Sequence, residues 1–158
     1  MSKKLEAVIT CPVCLNKFPA ILYRSIWIEY PENRDLIFNN LINLVECTSC
    51  KKNMMLPFAF LATNVKKNIA VWYEPNHDEA VDRDIRGYAE TFGPECFYAK
   101  APRITDYEEF KRTILKFENG ELQGNPVGPA KLAPLLPTKG PVKTESILSR
   151  LLNAIGIK

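Results

Sequence analysis

The sequence predicts an α+β fold: a small antiparallel sheet with two to three helices, then an extended tail and a terminal helix. Three observations carry this. Two Cys-x-x-Cys pairs, CPVC at Cys11–Cys14 and CTSC at Cys47–Cys50, are separated by 32 residues. Around them lie short runs rich in β-branched and aromatic residues, the composition of strands. Other stretches show helical apolar spacing with capping residues at their starts. Each cysteine pair closes a strand-like segment, so the sheet is expected to be zinc-ribbon-like.

The elements follow in chain order. Leu5 to Thr10 reads as a strand leading into the first pair. Phe18 to Tyr30, FPAILYRSIWIEY, reads as one long, bent strand. Pro31 to Asn43 opens with proline and early acids and sets Leu36, Ile37 and Leu41 on one side, which predicts a helix. Leu44 to Glu46 leads into the second pair. Met54 to Thr63 and Ile69 to Glu74 are expected to form a hairpin across Asn64 to Asn68. Glu79 to Phe92 predicts a second helix, stopped by Gly93-Pro94. Asp106 to Phe117 predicts a third, with Thr105 or Asp106 as cap and Phe110, Ile114, Leu115 and Phe117 inward.

The composition changes near Asn119. Residues 120–143 hold five prolines and four glycines, too many for a regular element, and read as an extended linker. Beyond it, KTESILSRLLNAIGIK offers Thr144 or Ser146 as cap and Gly156 as stop. It places Ile147, Leu148, Leu151, Leu152 and Ile155 on one face. The expected division is a metal-binding domain over 1–122, a Pro/Gly-rich linker over 123–143 and an amphipathic docking helix over 144–158. A helix this short is marginal alone and has to bury that face somewhere. Docking on a protein partner or larger assembly is one solution, and folding back on its own body is the other.

Composition excludes some classes. The net charge is +3, and all of the excess lies beyond residue 118. The preceding body is balanced, which disfavours a phosphate-binding nucleic-acid platform. No run approaches the roughly 18 apolar residues of a membrane span. Lys3 and Lys4 are not followed by an apolar signal core, so a cytoplasmic setting with reduced thiols is expected. No phosphate-cradling glycine loop and no GxSxG is present.

The chemistry therefore rests on the thiols. Cys11, Cys14, Cys47 and Cys50 are the candidate metal ligands. Two thiolates two residues apart reach one ion across a tight turn, and a second such turn completes a tetrahedron. Four thiols make a closed, structural site, for which zinc is expected and iron is the alternative. A dithiol redox reading of CPVC needs the first thiol at a helix N-terminus. Pro19 and the β-rich run after it argue against a helix there, and CTSC would be left unexplained. Four thiols without metal are the bland alternative. His77, the single histidine, reads as an exposed loop residue, with a ligand or base role as the other possibility. Cys96 reads as a small buried hydrophobe. Trp27, Trp72, Tyr73 and Phe97 read as core or sheet-face aromatics.

The ITCPVC start, the second Cys-x-x-Cys after NLINLVEC, the segment LPFAFLATNVKKNIAVWYEP and the helix RITDYEEFKRTILKFENG together resemble the CpXC domain family of prokaryotic proteins. The resemblance covers about residues 5–122, and CTSC departs from it in lacking the proline. It implies metal binding by the four cysteines and no particular reaction. The combined expectation is a non-enzymatic accessory or adaptor protein that docks through its tail. A thiol redox protein and a nucleic-acid-binding ribbon are the alternatives.

Overall fold

The computed structural model describes residues 2–124. Of the linker expected over 123–143 only residues 123 and 124 are described, and the helix expected over 144–158, with Ile147, Leu148, Leu151, Leu152 and Ile155, lies outside the described residues. In chain order the elements are β1 (Lys4–Thr10), β2 (Lys17–Tyr23), β3 (Ser25–Trp27), α1 (Pro31–Phe38), β4 (Leu44–Glu46), β5 (Asn53–Met55), β6 (Phe60–Asn64), a 3₁₀ turn (Val65–Lys67), β7 (Ile69–Tyr73), α2 (Glu79–Phe92), β8 (Arg103–Ile104) and α3 (Tyr107–Glu118). The fold is α+β, as the sequence predicts.

Two substructures result. β1 and β2 form an antiparallel hairpin, with Lys4 opposite Tyr23 and Thr10 opposite Lys17. β4 and β5 form a second, shorter one. These hairpins make the ribbon. The remaining strands form a sheet of order β3-β6-β7-β8. This sheet is mixed rather than antiparallel: β3 pairs parallel to β6 and β7 parallel to β8, with only β6 and β7 antiparallel. The reason is connection length. Parallel neighbours need a long crossover, supplied by α1 with the second hairpin in one case and by α2 in the other.

The long strand expected over Phe18–Tyr30 is two strands, divided at Arg24. There the chain leaves the ribbon and enters the sheet, and the buried Arg24 guanidinium donates to the Ala59 carbonyl at 3.1 Å and to Asp78 at 2.9 Å. The expected helix over 31–43 stops at Phe38. Asn40 (φ 57°) and Asn43 (φ 53°) adopt the left-handed region, which asparagine tolerates better than most residues. Asn43 then staples the ribbon to this turn: its Oδ1 accepts from the Tyr23 N–H at 2.7 Å and its Nδ2 donates to the Tyr23 carbonyl at 3.3 Å. Met54 to Thr63 is likewise two strands, interrupted around Pro57. β6 and β7 do form the expected hairpin.

The mixed sheet is covered on both faces. Phe60, Ala62, Ile69 and Val71 point to one layer, against Phe110 and Ile114 of α3 and Ile37 of α1. Leu61, Ala70 and Trp72 point to the other, against Val81 of α2 and Phe97. Central strands covered on both sides read as continuous apolar runs, as IAVWY of β7 does and FLA at the start of β6, which ends in the buried polar Thr63 and Asn64. Phe60 meets Phe110 edge to face, with ring centres 5.3 Å apart. Each such burial contributes about 1.5–3 kcal/mol. Leu115, expected inward, is 36% exposed. It lies five residues past Phe110, about 140° around a helix of 100° per residue, whereas Ile114 and Phe117 return to the same side.

Side chains cap the starts of α2 and α3, the second at Asp106 as expected. Asp78 accepts from the Ala80 N–H and Asp106 from the Glu109 N–H. Gly93 takes a positive φ of 93° where α2 stops. No helix among the described residues is long and apolar enough to cross a membrane.

Candidate metal centre

The two hairpins carry the cysteine pairs at their tips, and the tips share one local geometry. In the first, the Cys11 N–H donates to the Asn16 carbonyl (2.9 Å) and the Leu15 N–H to the Cys11 carbonyl (2.9 Å). In the second, the Cys47 N–H donates to the Lys52 carbonyl (2.9 Å) and the Lys51 N–H to the Cys47 carbonyl (3.0 Å). Each chain reverses through a left-handed residue directly after its second cysteine: Leu15 at φ 60° and Lys51 at φ 59°. A β-branched residue would be far more strained there. The tips face one another, and Asn16 Nδ2 donates across the gap to Thr48 Oγ1 at 3.2 Å.

This duplication brings together all four predicted ligands. The Sγ atoms of Cys11 and Cys50 are 3.6 Å apart, as are those of Cys14 and Cys47. All four sulfurs lie within 4.8 Å of one another, and all are free thiols. A zinc tetrathiolate with Zn–S near ~2.3 Å has sulfur–sulfur edges near ~3.8 Å. The donor set and its spacing therefore fit a tetrahedral ion with soft-ligand preference. Among the described residues this is the one cluster of His, Cys, Asp or Glu that could hold a metal. Cys11 and Cys47 are buried, whereas Cys14 and Cys50 lie at the surface.

The thiols differ electrostatically. A backbone hydrogen bond from Cys50, aided by one from Ser49, outweighs burial at Cys47 and holds its thiol down to about 6. Cys11 is lowered likewise, chiefly through a backbone hydrogen bond from Cys14. The Lys52 backbone N–H favours the Cys50 thiolate, yet burial and the three neighbouring sulfurs push that thiol up to about 12. Four sulfurs at this separation cannot all be thiolates unless a cation lies between them. A divalent ion would displace the protons held by the higher thiols.

The other predicted candidates lie elsewhere. His77 is 68% exposed, with Nδ1 3.7 Å from Glu74 and Nε2 3.6 Å from Asp82. It belongs to an ion-pair network in which Arg103 grips the buried Glu74 through two nitrogens and Asp82 at 2.7 Å. The network fixes the β7–α2 turn and is remote in sequence from the thiols. Cys96 is buried, with its Sγ accepting from the Ala99 N–H at 3.4 Å. Trp72 and Phe97 are core residues, as expected; Trp27 and Tyr73 are half-buried. Sequence reasoning passed over Leu15, the left-handed turn at Lys51 and the Asn16–Thr48 link. The available signal for Leu15 and Lys51 was their equal offset, one residue past each Cys-x-x-Cys; the Asn16–Thr48 link had no such signal.

Ribbon and sheet together define an α+β protein clasped by a tetrathiolate site that could hold a metal ion. The chain belongs to the CpXC family: the family described as CpXC protein matches residues 9–121, well over half of the sequence. No curated protein and no solved structure gives a match.

Proposed function

We propose that this protein is a non-enzymatic adaptor in which Cys11, Cys14, Cys47 and Cys50 hold one structural Zn²⁺ and the C-terminal tail docks on a partner protein. The observation that carries the metal half is the convergence of four thiols from two matching tips at sulfur spacings suited to a zinc tetrahedron. Four protein thiolates leave no open position for substrate or water, so the ion has a structural rather than a catalytic part. The redox reading draws less support, because Cys14 is followed by a left-handed turn and β2 rather than by a helix that would lower a nucleophilic thiol.

The adaptor half is supported by the tail's pattern. Helical spacing would set Ile147, Leu148, Leu151, Leu152 and Ile155 on one apolar face beyond a linker rich in proline and glycine, the layout of a helix that lies in a partner's groove. Metal analysis tests the first half: one zinc per chain is expected, with the four thiols unreactive until a chelator is added. Recovery of the same interaction partners with full-length protein and with a chain ending at residue 124 tests the second. Loss of a defined partner on truncation is expected, and an unchanged set would overturn the docking role.

A further inference from the structure

We propose that the cleft between β3 and the C-terminal half of α2 binds a neutral, single-ring aromatic molecule that carries a hydroxyl group, the phenol class. The cleft encloses about 200 Å³. An apolar cavity of about 150 Å³ is enough to take up benzene, so one substituted ring is the size that fits. Trp27 on the edge strand, Tyr88 and Phe92 on α2, and Tyr98 after it line the cleft, and all four rings are half-buried. Three of them hold one another. Tyr88 and Tyr98 stack at 4.9 Å with their planes 20° apart, and Phe92 lies 5.8 Å from Tyr98. Among the described residues Trp27 pairs with Tyr30 instead, 6.2 Å away. The gap between Trp27 and the trio is therefore one that a further ring can enter, with the offset or edge-to-face contacts that aromatic pairs prefer.

Apolar rings alone would accept any greasy ligand. The group that selects stands on the same wall. Thr63 lines the cleft and sits opposite Trp27 in the pairing of β3 with β6. Strand alternation sets it with Leu61 on the side of the sheet that faces α2, since Phe60 and Ala62 pack in the opposite layer. Thr63 is 3% exposed. Its carbonyl accepts from the Ile28 N–H at 2.8 Å, but its Oγ1 is buried with no hydrogen-bond partner. Ser25, the other aliphatic hydroxyl of the lining, already accepts from the Lys3 N–H at 3.1 Å.

A buried hydroxyl without a partner is costly, and valine would suit this strand position without that cost. A phenolic hydroxyl is donor and acceptor at once, so it meets Thr63 whichever way the threonine proton points. Among the described residues no charged side chain lines the cleft. An ion entering it would lose its hydration with no opposite charge in return. Residues 125–158 contain no aromatic side chain, so the tail does not supply the ring. The site is also independent of the thiols.

The test is an NMR titration of the full-length protein with phenol and, separately, with its apolar isostere toluene. The Trp27 indole N–H reports on the cleft, and the Ile114 amide of α3 on the opposite layer. Expected is a saturable shift of Trp27 with Ile114 unmoved, and NOEs from bound phenol to Trp27 and Tyr98. Thr63→Val keeps the shape of the side chain and removes its hydroxyl. It should weaken phenol binding by at least about fivefold, the contribution of one hydrogen bond, and leave toluene binding as tight as before or tighter. Tyr98→Leu should weaken both ligands. No saturable shift with phenol, NOEs only to other parts of the molecule, or an equal effect of Thr63→Val on the two ligands would overturn the proposal.

Discussion

The ribbon and the mixed sheet hold themselves together by different means. The sheet buries two apolar layers, with Phe60, Ile114, Phe110 and Val71 on one side and Leu61, Trp72, Val81 and Phe97 on the other. The ribbon's own buried cluster is Cys11, Phe18 and Cys47, so two of that cluster's three buried residues are thiols; Leu22 is the other buried side chain of β2. Its outer face leaves Val8 and Ile21 exposed. Burial of a few side chains cannot repay the conformational entropy of two hairpins. On the proposed reading, the sheet folds on packing alone, whereas the ribbon depends on an ion that its four sulfurs could hold.

That contrast can be broken most forcefully at the thiols. Cys14→Ser or Cys47→Ser should abolish stoichiometric zinc and remove the ribbon's share of the cooperative melt, while Trp72 stays in a buried environment by fluorescence. Either variant melting like wild type with a full metal complement would contradict the structural site. On the other side of the comparison, Phe110→Ala should cost about 3–5 kcal/mol in chemical denaturation. It removes the ring that meets Phe60, Tyr73 and Tyr107. Zinc content should be unchanged in that variant.

Acid should act on the sheet's rim. The Arg103 guanidinium holds the buried Glu74 below its ordinary value of 4.5. At Asp78 burial opposes the shift, but the Ala80 N–H and Arg24 still hold it below 3.8. Folded values below unfolded ones mean that this stability is present above the unfolded values and is lost as pH falls through the folded ones. The Trp72 melting temperature should therefore be flat near neutrality and decline below pH 4.5. Arg103→Gln should flatten that decline. The smallest effect is expected at the tip: Leu15, 74% exposed and left-handed, can be replaced by glycine. Leu15→Gly should stabilise the zinc-loaded ribbon by up to about 1 kcal/mol.

Much of this was legible in the sequence, unevenly. The ligands were, because Cys-x-x-Cys spacing is dictated by local turn geometry. The cap at Asp106 and the hairpin of β6 and β7 were local too. The break at Arg24 was not, because FPAILYRSIWIEY has strand propensity throughout. What divides it is a long-range contact to Ala59, Asp78 and Asp84. The parallel pairings were hidden for the same reason: no residue in SIW or RI announces its neighbour. Trp27, Tyr88 and Tyr98 line one cleft, and of these the sequence singled out Trp27 alone, as a core or sheet-face aromatic. Their meeting depends on α2 crossing the sheet.

The division between a metal-dependent ribbon and a self-sufficient sheet is tested most directly by hydrogen exchange on the zinc-loaded protein before and after chelation. The account predicts that amides of β1, β2, β4 and β5 lose their protection when the ion is removed, while those of β6 and β7 keep theirs. Protection lost equally throughout, or lost nowhere, would contradict it.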